Sequence, residues 1–144
     1  MKIEGDLVIT AADLVDGVYG PDETVEVTGS VRISSEIGIV RFRRALVARM
    51  KITAEAGSGI QAGEGIEAGW GIKAGWGIEA GKGIKAGWGI EAGGSIEAGE
   101  GLGIFAGLRL RLADWSIYAR VIAKTKPHNL VSGSWVESAA EALA

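Results

Sequence analysis

Isoleucine recurs every six residues through the middle of the chain, at Ile60, Ile66, Ile72, Ile78, Ile84, Ile90 and Ile96, inside a block that reads A-G-x-G-I-x. Ala follows each Ile two residues later, as in Ile66-Glu67-Ala68, with a polar residue between them. Strand alternation sends residues i and i+2 to one side and the residue between them to the other, so each I-x-A triplet predicts a short strand with one buried side. The Gly-x-Gly that follows predicts a corner, because glycine tolerates positive φ and brings no Cβ into a close backbone approach. A helix is disfavoured by two glycines per six residues, each costing about 1 kcal/mol relative to Ala. A flexible linker would not hold Ile so strictly in place. A short fixed period of strand and corner predicts a solenoid, in which each repeat buries its apolar side only against its neighbours.

The polar positions set the number of sides. Stacking residues eighteen apart, three blocks to a coil, puts Glu67 beside Lys85 and Lys73 beside Glu91, alternates the corner column Glu64, Lys82, Glu100, and lays Trp70 on Trp88. Only Glu79 over Glu97 then pairs like charges. Stacking residues twelve apart would gather Glu67, Glu79 and Glu91 into one acidic column and set Lys73 on Lys85. Like charges directly opposite one another destabilise paired strands, so the sequence predicts an all-β, three-sided β-solenoid with about 18 residues per coil.

The beat slips by two residues at both ends, between Ile52 and Ile60 and between Ile96 and Ile104, where Leu102 holds the old phase. We read one domain over 1–144, with irregular N-terminal coils over 1–51, the regular repeat over 52–107, and C-terminal coils and tail over 108–144. In the first segment, Leu7-Val8-Ile9 and the alternation from Val25 to Ile33 predict strands, separated by a turn at Gly20-Pro21-Asp22. In the last, Leu108 to Leu112 and Ile117-Tyr118-Ala119 predict further coils, and Ser138 to Ala144 a short helix or tail. A solenoid leaves two open ends to be capped or joined, so a homo-oligomer through the ends or the C-terminal region is also expected.

Composition narrows the class. Aromatic residues are 6% and much of the apolar content is Ala, which predicts a thin core. No apolar run is long enough to span a membrane, and the first residues lack the basic and apolar regions of a signal peptide, so a soluble cytosolic protein without membrane association is expected. The absence of Cys excludes disulfides and thiolate metal sites. The net charge of -3 is segregated: residues 1–40 carry two basic and eight acidic side chains, whereas 41–51 hold five cations and no acid. Arg41, Arg43 and Arg44, with Arg109 and Arg111 further on, form a candidate basic patch. Its plainer reading is that Phe42, Leu46 and Val47 face the core while the cations are solvated. Overall acidity gives no phosphate-seeking field, so direct nucleic-acid binding is not expected.

The tract from Gly65 to Gly77, G-I-E-A-G-W-G-I-K-A-G-W-G, resembles small phage- and prophage-encoded proteins built from tandem G-x-I-x-A-G units. The likeness covers residues 52–107 and implies an inhibitor of host defence, of the anti-CRISPR kind, whose partner is a bacterial host protein or ribonucleoprotein complex. More loosely, Val25 to Ile33 followed by β-coils is similar to bactofilins, scaffold proteins whose β-helices join end to end.

Catalytic readings fare worse. Hexapeptide-repeat acyltransferases share the three-sided coil, but there a large aliphatic residue precedes Gly, whereas here Ala does. The single His128 lies in a Lys126-Pro127-His128-Asn129 turn with no partner for base catalysis. There is no metal-ligand cluster and no G-x-x-x-x-G-K-[ST], and ice binding would want rows of Thr where Glu, Lys and Trp stand. No cofactor and no enzymatic activity are expected. The corner positions run Ser58, Glu64, Trp70, Trp76, Lys82, Trp88, Gly94, Glu100, so Trp shares its place with charges and is expected to point outward. Trp70, Trp76 and Trp88, with Lys82 and Glu64, are therefore the candidate partner-binding residues. The alternative is that each indole lies along its corner and covers the glycines beneath.

Overall fold

The computed structural model describes residues 1–99, 103–110, 114–123, 126–127 and 129–137. Among them the chain visits three sheets in turn. The first sheet stacks Lys2–Ile3, Val25–Val27, Leu46–Ala48, Ile66–Ala68, Ile84–Ala86, Ile104–Phe105 and Leu130–Ser132. The second stacks Leu7–Ile9, Val31–Ile33, Ile52–Ala54, Ile72–Ala74, Ile90–Ala92, Arg120–Ala123 and Ser134–Glu137, and the third runs from a hairpin, Leu14–Val15 with Val18–Tyr19, through Gly38–Phe42, Ser58–Ala62 and Ile78–Ala80 to Ile96–Ala98. Every pairing among the described residues is parallel except that hairpin. This is a three-sided parallel β-solenoid.

In the regular tract the period of eighteen holds: Ile60 pairs with Ile78, Ile78 with Ile96, Ile66 with Ile84 and Ile72 with Ile90. Outside it the coils lengthen, since Leu46 pairs with Ile66 twenty residues on and Val25 with Leu46 twenty-one on. In the N-terminal coils the extra residues lie at corners and leave strand pairing in register, whereas Ile104–Phe105 pairs with Leu130–Ser132 across a register shift. The slip before Ile60 is one such corner, where Gly57 takes φ +76 above a loop in which Glu36 and Gly38 are also left-handed. It buries Ser58, which the corner column had placed outside; its hydroxyl donates to Ser34 O at 2.6 Å and accepts from the Ile37 N–H at 3.1 Å. The buried polar group is thereby satisfied.

Ile and Ala of the triplets form one continuous core with the larger Val, Leu and Phe side chains of the first coils. Ile78 and Ala80 are buried while Glu79 between them is exposed, so the faces alternate as the pattern requires. The repeat glycines work differently from expectation. None between Gly63 and Gly99 has positive φ. The glycine after each Ala is required because a Cβ there would enter the carbonyl of the coil below, as Gly81 would enter Gly63, whereas before Ile66, Ile72, Ile78 and Ile84 a Cβ on the glycine meets only one oxygen, at 3.3 Å for Gly65 and 3.2 Å for Gly83; Gly59, Gly89 and Gly103, where the coils are irregular, are more crowded.

The hairpin covers the N-terminal end of the third sheet, with Tyr19 tilted against Phe42 at 5.8 Å. Beyond Ile104–Phe105 the chain leaves the regular path. Leu108 and Arg109 form a turn, and Trp115–Tyr118 is a short helix where a strand was expected. The triplet there lacks the glycine corner that leads into the regular strands, and the strand that resumes the second sheet is Arg120–Ala123. Glu100, Leu102, Arg111, Leu112, His128 and the expected C-terminal helix over Ser138 to Ala144 lie outside the described residues.

Candidate functional site

The corner columns have different chemistry, and the candidate residues are distributed among them. Between the third and first sheets the column is ionic. Glu64 lies 3.9 Å from Arg44 and 3.8 Å from Lys82, and Arg44 also meets Asp22 at 2.9 Å. Glu64 and Lys82 are thus engaged with each other. Their exposed pairing fixes register more than it stabilises, since such pairs contribute about 0–1 kcal/mol.

Between the second and third sheets stands Trp76, alone among the corner indoles. Its ring approaches Gly38, and its Cβ lies 3.2 Å from where a Cβ on Gly59 would sit. The indole nears Gly38 with one ring edge and is otherwise half exposed.

Between the first and second sheets the column is aromatic. The Trp70 N–H donates to Met50 O and the Trp88 N–H to Trp70 O, so ladder hydrogen bonds hold consecutive corners in line. Trp70 and Trp88 stack with ring centroids 6.2 Å apart and 18° between planes, and Tyr118 leans on Trp88 at 5.5 Å and 54°. All three remain between 42% and 49% exposed, and Met50 extends the apolar surface below them. These rings pack on one another and leave the rest of their surface to solvent. Beside them, on the second sheet, runs a groove of ≈ 510 Å³.

Among the described residues the basic candidates do not form one patch. Arg41 projects from the third sheet and donates from Nε to Gln61 at 2.8 Å; Arg43 reaches Gly20 O; Arg44 belongs to the ionic column; Arg109 packs beside Gly69 and Gly87. Tyr118 was not among the sequence candidates. It enters from the irregular segment after Phe105, where no period reports on position.

Among the described residues no group of three His, Asp or Glu side chains is placed to hold a metal ion. No described helix is long and apolar enough to cross a membrane. Tyr19 has its pKa raised, first by burial and then by the nearby Asp13 carboxylate. The fold and its surfaces define the class, a β-solenoid. No protein-family model, curated protein or solved structure matches the chain.

Proposed function

We propose that this protein is a non-catalytic binding module that presents the aromatic corner of a rigid solenoid to a bacterial host protein or ribonucleoprotein complex. In this reading it acts in the host cytoplasm as a phage or mobile-element inhibitor of a defence complex. The observation that carries the reading is the Trp70, Trp88, Tyr118 stack. Three adjoining aromatic rings left half exposed are costly to leave in water and are the residue types that dominate protein interfaces. Ladder hydrogen bonds through Met50, Trp70 and Trp88 preorganise them, which lowers the ordering cost of binding. The resemblance of the Gly65 to Gly77 tract to phage-encoded repeats supports a host partner.

The test is capture from host lysate by the immobilised protein and by its Trp70→Ser/Trp88→Ser variant. Capture should be lost while the β-rich circular dichroism spectrum and unfolding transition stay nearly intact, because outward side chains contribute little to the core. Undiminished capture by the variant overturns the reading. A self-assembling scaffold is the second reading, favoured by Lys2–Ile3 and Leu7–Ile9, which have no further strand on their outer edges among the described residues. Long filaments in sedimentation would support the scaffold, and discrete small species the binding module.

A further inference from the structure

The groove beside the aromatic corner crosses four adjacent strands of the second sheet, those beginning at Ile52, Ile72, Ile90 and Arg120. At the ~4.8 Å spacing of paired strands this is about 14 Å, the reach of roughly four residues of extended peptide. Trp70, Trp88 and Tyr118 form its wall. Lys51 and Arg120 belong to the lowest and highest of the four coils, and Lys73 projects from the floor. Among the described residues Glu91, in register with Lys73, is the one acid lining it. Three cations against one anion make this surface positive on a chain whose net charge is -3.

We infer that the groove receives a short, extended, acidic peptide segment of the partner, with apolar or proline side chains against the indoles and carboxylates toward Lys51, Lys73 and Arg120. This rests on the reading of the aromatic corner as the partner surface. The volume of ≈ 510 Å³ suits such a segment. Proline and aliphatic side chains pack well on aromatic walls, and the Nε of Arg120, donating to Ser116 O at 3.2 Å, anchors that guanidinium near the groove's end. Single-stranded nucleic acid fits less well. Trp70 and Trp88 already stack on each other and offer no slot for a base between them, and Glu91 would face a phosphate chain.

The test probes the intact protein with short immobilised peptides of random sequence and, separately, with labelled oligothymidine. Retained peptides should be enriched in Asp and Glu beside Pro, Leu or aromatic residues. Their affinity should fall at high salt and drop about tenfold or more in Lys51→Glu/Lys73→Gln, whose exposed sites leave the fold intact. Retention should vanish in Trp70→Ser/Trp88→Ser. Peptides retained without acidic enrichment, or equally by the charge variant, overturn the inference while leaving the aromatic corner as the partner surface. Preferential binding of oligothymidine overturns it in favour of nucleic acid. No retention of any peptide also overturns it, and lysate capture then judges the aromatic reading separately.

Discussion

Gly81 and Gly83 flank one corner residue, Lys82, yet substituting Ala at each should have unequal consequences for folding. A Cβ on Gly81 would penetrate the Gly63 carbonyl oxygen and lie 3.0 Å from its carbon, where carbon pairs settle at about 3.5–4.0 Å. Both partners are backbone, and the Gly81 N–H is tied to Ala62 O at 3.0 Å while Lys82 is tied to Glu64 O at 3.2 Å. Relief requires prising two coils apart and stretching those bonds. The cost belongs at or above the upper end of overpacking, about 3 kcal/mol, and the reduced entropy of the unfolded chain returns at most about 1 kcal/mol where the backbone angles permit Ala. At Gly83 a Cβ meets only Gly103 O, at 3.2 Å, and a shift of a few tenths of an ångström relieves it. Equivalent places before Leu46 and Ile96 are held by Ala45 and Ser95. With roughly 3–4 °C per kcal/mol for a chain of this size, Gly81→Ala should lower Tm by about 10 °C and Gly83→Ala by less than about 4 °C. Thermal unfolding followed by far-ultraviolet circular dichroism measures both. Equal melting temperatures would refute the assignment of separate roles to the two glycines.

Two further outcomes follow from the core and from the N-terminal hairpin. Ala80 faces a narrow interior and Glu79 faces solvent, so Ala80→Leu should destabilise by about 1–3 kcal/mol or more and Glu79→Gln by less than about 0.5 kcal/mol, read from their midpoints in denaturant. Tyr19 has its folded-state pKa raised by burial and by Asp13, so its contribution to stability is fully present below the unfolded value of about 10 and is lost as pH rises through the higher folded value. Tyr19→Phe should flatten that part of the alkaline stability profile, and an unchanged profile would remove Tyr19 as its source.

The central tract was legible because its physics is local and repeated. Ile and Ala at alternate positions decide which side is buried, and opposite charges at eighteen-residue spacing decide which strands are neighbours, as in the pairing of Glu67 with Lys85. A three-sided coil follows from those two facts. The sequence also placed Trp70 on Trp88, since a corner column inherits the register of the strands it joins. It could not separate the two glycines of a corner, because the need for the first arises only when another coil's carbonyl lies beneath it. Nor could it tell that Trp76 nears Gly38 with one ring edge while Trp70 and Trp88 turn to each other, or that five arginines and lysines close in sequence disperse over different corners and faces. Where the period ends, at Phe105, local pattern stops reporting on neighbours. Tyr118 reaches the aromatic column and Arg120 the groove because a short helix returns the chain to the second sheet, and that placement is decided by packing between coils distant in sequence.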